Sequence, residues 1–232
     1  MVTKAKKALL ASLAAFLCVM LTVFGLSMSV STAKIAKADD TTAVAKIGEA
    51  GYETLAEAIA AAKDGETVKL LADCSGDGIV VDKNKFTEKG LIVDFGGYTY
   101  TIGGVLVGSS GTKSNGFQLL IGNKITFRNG SIVGDKATAG DDKTDWTGAA
   151  AIMIQNYCDL TLEKMTISGG EETVYTMSNN CGNIVIEDTT INAGKAKGYG
   201  YGPFAFDVCG YSSYPSVTVT VKGTSVINGY IE

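Results

Sequence analysis

Glu163 and Glu187 stand at the same place in two successive copies of one short pattern, LTLEKMTI and IVIEDTTI. Two carboxyl groups about 5 Å apart can serve as nucleophile and general acid on a glycosidic bond. An earlier copy, ITFRNGSI, puts Arg128 at that place, and a later one, VTVKGTSV, puts Lys222 there. If the copies stack, the four side chains form a column. That column has a second reading, a surface ladder in which Arg128 neutralises Glu163 and Lys222 neutralises Glu187, each pair worth under about 1 kcal/mol. Charge balance along the column favours the ladder, and Glu163 and Glu187 are carried forward as subordinate catalytic candidates.

A second set of candidates lies in the segments between copies. DKATAGDDKTDWTG carries Asp141, Asp142, Asp145 and the single tryptophan, Trp146, while KAKGYGYGPF and CGYSSYP bring Tyr199, Tyr201, Phe204, Tyr211 and Tyr214. Sugar rings stack their apolar faces on aromatics and need acceptors for their hydroxyls, so aromatics beside carboxylates suit glycans. Trp146, Asp141, Asp142, Asp145, Tyr199 and Tyr201 are therefore the expected ligand-binding residues. The competing reading is that the Gly-Tyr runs fold back and shield an edge. The acids of 141–145 could also hold calcium, although they lack the EF-hand spacing. No other cofactor is expected.

Composition removes several chemistries. Histidine is absent and Arg128 is the single arginine, so histidine-based acid–base catalysis and histidine-ligated metal sites are excluded. Cys74, Cys158, Cys181 and Cys209 show no C-x-x-C spacing, which argues against a zinc site or a redox motif.

Residues 1–38 look like an export signal. Lys4, Lys6 and Lys7 precede an apolar run from Ala8 to Val30, and Ala36-Lys37-Ala38 offers a cleavage site before Asp39. The run is also long enough to span a bilayer, so an uncleaved N-terminal anchor is the alternative. Either way the remainder is expected to be secreted or held at the cell surface. Removing 1–38 takes away five lysines and no acids, so the formal charge goes from −4 to −9. Such acidity argues against nucleic-acid or anionic-membrane partners. Membrane contact is expected only through the N-terminal segment, if it is retained.

The elements that would position these residues follow from the repeat. Written as apolar, any, apolar, any three, Ser or Thr, apolar, it fits from Val93, Ile125, Leu160, Ile184 and Val219, and VKL from Val68 begins a further copy. Alternating apolar residues in each copy mean strands with one face inward, and the Ser or Thr marks a bend. A unit near two dozen residues with short strands and no recurring helix is what a parallel β-solenoid requires, each coil pairing with its neighbours at about 4.8 Å. Asn129-Gly130-Ser131, although a glycosylation sequon, sits inside a copy and reads as a turn. Asn156-Tyr157-Cys158 aligns with Asn179-Asn180-Cys181, so Asn156 is expected to stack on Asn179 and Cys158 on Cys181. Stacked cysteines come within disulfide reach or form a reduced apolar column, and the reduced column is expected. Ahead of the repeat, Thr54 and Glu57 form a capping box for a helix whose apolar face is Leu55, Ala58, Ile59 and Ala62, with a stop at Lys63-Asp64-Gly65.

AVAKIGEAGYETLAEAIAAAKDGETVKLLAD, with units such as LIVDFGGYTYTI and ITFRNGSI, resembles the right-handed parallel β-helix, or pectin-lyase-like, domains of secreted and surface proteins of Gram-positive bacteria. The resemblance covers residues 43–232. It implies an all-β fold: a right-handed single-stranded parallel β-helix with an N-terminal capping α-helix, divided into 1–38 signal or anchor, 39–66 strand and capping helix, and 67–232 coils. The chain stops directly after a copy of the repeat, so a fragment of a longer protein, or an end covered by a partner, is expected. Polygalacturonases of this architecture resemble one another in clustered aspartates with a nearby histidine, which this chain lacks. Pectate lyases pair calcium-binding acids with an arginine, and Arg128 alone could fill that role.

The function expected is thus a non-catalytic secreted or cell-surface module, glycan-binding and adhesin-like or a structural spacer, with glycans or a host or cell-wall surface as partner. A carbohydrate-active enzyme, a polysaccharide lyase or glycosidase on this fold, is the alternative.

Overall fold

The structure, a computed structural model, describes residues 42–108, 114–135, 151–197, 201–212 and 217–232. Its described part is mostly β, with parallel sheets and one helix.

The chain enters through β1 (Ala45–Ile47) and β2 (Ala50–Tyr52), an antiparallel pair, and β1 also runs antiparallel to β3 (Thr67–Leu70). Between them lies the helix α1 (Leu55–Ala61). Thr54 accepts from the Glu57 N–H at 3.1 Å and the Glu57 carboxylate accepts from the Thr54 N–H at 3.2 Å, the reciprocal pair the sequence announces. The helix stops at Ala62, whose backbone turns extended, so Lys63-Asp64-Gly65 lies just beyond the stop. Leu55, Ala58, Ile59 and Ala62 are buried and join Val68, Leu70 and Phe86 in the core. Lys85 Nζ donates to the Ile59 and Ala60 carbonyls at 2.9 and 2.7 Å, satisfying acceptors left open at the helix end.

From β3 onward successive strands pair in parallel, and one isolated antiparallel bridge joins Val107 to Asn115. One ladder runs β3, β6 (Leu91–Asp94), β9 (Lys124–Gly134), β11 (Asp159–Ser168), β13 (Asn183–Glu187) and β16 (Thr218–Lys222). The long strands β9 and β11 bend and continue into a second wing. There β4 (Cys74–Gly76) pairs with β7 (Thr99–Ile102), β7 with β9, β11 with β14 (Thr190–Asn192), and β14 with β17 (Val226–Asn228). A separate sheet runs β5 (Ile79–Val81), β8 (Asn115–Leu119), β10 (Ile152–Asn156), β12 (Tyr175–Asn180), β15 (Phe204–Cys209) and β18 (Tyr230–Ile231). Inward columns fill the space between. Val68, Val93, Phe127, Leu162 and Ile186 stand in one buried register that ends at Val221, 51% exposed on the last strand, and Phe117 of the second sheet meets Phe127 edge-on at 5.3 Å.

The bends share one conformation. Asn129, Lys164, Asp188 and Gly223 follow immediately after four residues in register, and all have φ between 48° and 66°. Asparagine, aspartate and glycine tolerate this left-handed region; lysine does so at a cost. The sequon Asn129-Gly130-Ser131 is thus part of a bend, and the bend falls two residues before the Ser or Thr that the pattern used as its marker.

Two copies differ from the pattern. Leu91, not Val93, stands beside Ile125, while Thr99 still pairs with Ser131, so the first copy carries two extra residues in its bend. Those residues bring in Phe95, fully buried against Phe127 at 5.8 Å. In the last copy Ile227, not Val226, pairs with Ile191, because Gly223, Thr224 and Ser225 make a bend one residue longer. A one-residue slip turns a side chain to the opposite face, and Val226 is accordingly exposed while Ile227 packs on the core.

Candidate functional site

The charged column is real, and it is longer than the repeat indicates. Lys69, Asp94, Arg128, Glu163, Glu187 and Lys222 lie in one register across six neighbouring strands. Glu163 and Glu187 are direct neighbours, as the catalytic reading needs. Lys222 Nζ lies 2.8 Å from Glu187, as the ladder reading needs. Arg128 does not neutralise Glu163; its Nε and Nη2 both reach Asp94 Oδ2 at 3.0 Å, and the cation beside Glu163 is Lys164 at 3.8 Å. The reason is the register of the first copy: begun at Leu91 it delivers Asp94 beside Arg128, whereas begun at Val93 it hides that partner. Burial works to raise the Asp94 carboxyl, but the Gly96 N–H, the Asn129 amide and the Arg128 guanidinium outweigh it and hold the group below the usual carboxylate range.

The asparagine stack forms as the spacing indicates. Asn156 Nδ2 donates to Asn179 Oδ1 at 2.8 Å and to the Cys158 carbonyl at 3.0 Å, and Asn179 Nδ2 donates to the Gly182 carbonyl at 2.8 Å. Cys74, Cys158, Cys181 and Cys209 are free thiols. Cys158 and Cys181 line a cleft of about 290 Å³ with Asn123, Tyr157 and Asn183.

Of the expected ligand-binding residues, Trp146, Asp141, Asp142, Asp145 and Tyr199 lie outside the described residues. Tyr201 is described and is 74% exposed. Among the described residues no three His, Cys, Asp or Glu side chains gather as a metal site, and no helix is long and apolar enough to cross a membrane.

A polar face on the second sheet escaped the sequence reading. Gln118, Gln155, Ser178 and Asp207 stand in one register on β8, β10, β12 and β15. Asn115 Nδ2 and Gln118 Nε2 both donate to Gln155 Oε1, at 2.8 and 2.9 Å, so the three amides converge on one acceptor. Asn115, Gln118, Gln155 and Ser178 are all buried. Asn115 Oδ1 and Asp207 Oδ1 are shielded from solvent without a hydrogen-bond partner. Burial pushes the Asp207 carboxyl up to about 6, against the Ser178 hydrogen bond that lowers it and with the Glu232 charge that adds to the rise. Three residues back on β12 and β15, and continuing onto β18, runs an aromatic row. Tyr175 and Phe204 stack at 5.0 Å with their planes 7° apart, and Tyr230 meets Phe204 at 6.5 Å. Tyr230 is 67% exposed. The signal lay in aligning NGFQL, IMIQN, YTMSNN and FAFDVC, where a polar residue recurs within apolar surroundings; repeat positions chosen on the first ladder do not include them.

Against known proteins the chain matches no family model, no curated protein and no solved structure.

Proposed function

We propose that this chain is a right-handed parallel β-helix of the pectin-lyase-like kind, closed at its N-terminal end by α1, that works outside the cell as a non-catalytic, glycan-binding surface module. Parallel ladders held in register through successive copies of the repeat support the fold part of this reading. The observation that carries the function is the second sheet, where the amides of β8 and β10, the Asp207 carboxyl of β15 and the aromatics of β12, β15 and β18 stand on neighbouring strands. A pyranose stacks its apolar face on an aromatic, and the exposed Tyr230 offers one; the amides beneath are buried and bonded to one another, so they support this sheet rather than meet the sugar. Tyr201, exposed and three residues before Phe204 in the chain, is included in this proposal as a further aromatic. Glycans of a host or cell-wall surface are the partners this chemistry fits. Trp146 and the acids at 141, 142 and 145, with calcium if they bind it, belong to the same proposal.

A second reading, a carbohydrate-active enzyme, is favoured by one feature. Asp207, with its carboxyl raised to about 6, titrates near enough to neutral pH to exchange a proton in acid–base work. The column at Glu163 and Glu187 gives that reading less, because Lys222 already engages Glu187.

The test is binding and release measured on one panel of pectins, mucin glycans and plant polysaccharides, with and without calcium. The module reading expects binding that weakens at least tenfold in Tyr201→Ala with Tyr230→Ala and no release of reducing ends. Release that vanishes in Asp207→Asn, or in Glu163→Gln with Glu187→Gln, would establish the enzyme instead. Neither binding nor release on any substrate would leave a spacer.

A further inference from the structure

Three of the four cysteines among the described residues fall at one corner of the second sheet, and their surroundings differ. The Cys158 thiol is 4% exposed, donates to Asn156 Oδ1 at 3.2 Å, and is pushed far up by burial with the Asp159 charge adding to it. A thiol held protonated and hydrogen-bonded in the interior is a poor nucleophile. Cys74 lies on β4, in register with Tyr100 on the second wing, and its thiol is also raised by burial.

Cys181, at 5% exposed as buried as Cys158, and Cys209 differ from it in their partners. Cys209 is half-buried and in register with Asn180, the residue before Cys181. The Cys181 N–H donates to the Cys209 carbonyl at 2.7 Å. Backbones joined in that way hold their Cα atoms at roughly 5–6 Å, inside the range of about 4.4–6.8 Å that a disulfide spans. Cys181 has φ of 66°, so the chain turns at that residue. Tyr211 caps both sulfurs: its N–H donates to Cys181 Sγ at 3.1 Å, and its phenol hydrogen-bonds Cys209, a contact that raises the phenol's own pKa. Tyr211 is 53% exposed, so an exposed side chain is what covers the half-buried Cys209, while Cys181, 5% exposed, is reached through Cys209.

We propose that Cys181 and Cys209 are a disulfide-forming pair that staples β12 to β15, while Cys158 stays a thiol. The oxidant is a small disulfide such as cystine. The Cys209 thiolate attacks one sulfur of cystine, the cystine S–S bond breaks, and one cysteine leaves. The Cys181 thiolate then attacks the Cys209 sulfur of this mixed disulfide, and the second cysteine leaves. Two protein thiols and one cystine thus become one protein disulfide and two cysteines, whose sulfurs carry away the two protons. The pairing rests on the proposed export of the chain only for its natural source of oxidant.

The experiment uses the full chain, purified under reducing conditions, incubated with excess cystine at pH 8, alkylated in denaturant and digested without reductant. A peptide pair joining Cys181 to Cys209, at a mass about 2 Da below the sum of the two, is expected, with Cys158 fully alkylated. Cys209→Ser is expected to leave Cys181 alkylatable, and Cys158→Ser to leave the bridge unchanged. A Cys158–Cys181 bridge, alkylation of both Cys181 and Cys209, or cysteine retained on Cys209 as a mixed disulfide would each overturn the pairing. Circular dichroism of Cys209→Ser separates a lost fold from a lost bridge. Applied to protein collected from the medium of an expressing bacterium, the same mapping reports on export separately, because the purified reaction needs none.

Discussion

Replacing Asn123 with alanine is expected to be among the most costly single changes in the chain. Asn123 is 1% exposed and its amide uses all of its bonding capacity within the fold. Oδ1 accepts from the Lys85 and Phe86 N–H groups at 2.9 and 2.8 Å, and Nδ2 donates to the Asp82 and Leu120 carbonyls at 2.8 and 2.7 Å. One side chain therefore ties the turn before β9 to the segment that follows β5. Four bonds at about 1 kcal/mol net each give about 4 kcal/mol. Three of the partners are only part-buried and can take water in the variant, while the Phe86 N–H is buried, which brings the expected loss to about 3 kcal/mol. Urea unfolding followed by circular dichroism reads this directly. With an m-value of about 2 kcal/mol/M the midpoint falls by roughly 1.5 M. Amide exchange at Phe86 should accelerate more than at Ile167 on β11. A midpoint within 0.5 M of the parent, an approximate bound set by that same m-value, or exchange unchanged at Phe86, would refute the claim that this amide joins the two segments.

Other expectations follow from single contacts. Asp207 has a folded pKa of about 6, above its unfolded value, so protonation favours the fold. The stability it contributes is fully present below about pH 4 and is lost as pH rises through about 6. Asp207→Asn should therefore flatten that slope and, at pH 8, stabilise by about 2 kcal/mol, as two pH-dependent urea series would show. Thr54→Ala removes one half of the capping box and should cost about 1 kcal/mol by thermal unfolding. Lys222→Ala breaks a solvent-exposed pair with Glu187 and should cost under about 1 kcal/mol, with the difference shrinking in high salt. Gly130→Ala would drive a methyl into Phe95 and the Tyr98 carbonyl, so about 2 kcal/mol is expected from the same unfolding assay.

The proposed staple and the proposed sugar surface share β12 and β15. Tyr175 and Phe204 stack across these two strands, and Cys181 and Cys209 meet at their far ends. A covalent link there would hold the aromatic row at fixed spacing, which suits a ligand that repeats at fixed intervals.

Pattern alone made much of the first ladder legible. Ile125, Leu160, Ile184 and Val219 are register partners where the repeat puts them, because a strand that buries one face must alternate and a stacked neighbour must alternate in phase. The capping box and the Asn156–Asn179 bond were equally readable, since each depends on residues whose spacing is fixed locally or by the repeat. The charge partner of Arg128 was not. It depends on where the first copy begins, and two residues hidden in a bend moved Asp94 into place.

By itself, then, the sequence determined the alternation of each strand, the period of the copies, the capped helix and the chemistries that absent histidine forbids. These are properties of near neighbours and of composition. Only the tertiary structure decided which residues meet across strands: Arg128 with Asp94, Gln155 with Asn115 and Gln118, Cys181 with Cys209. Bend lengths are set by how side chains such as Phe95 fill the core, and a change of one residue in a bend reassigns every partner beyond it.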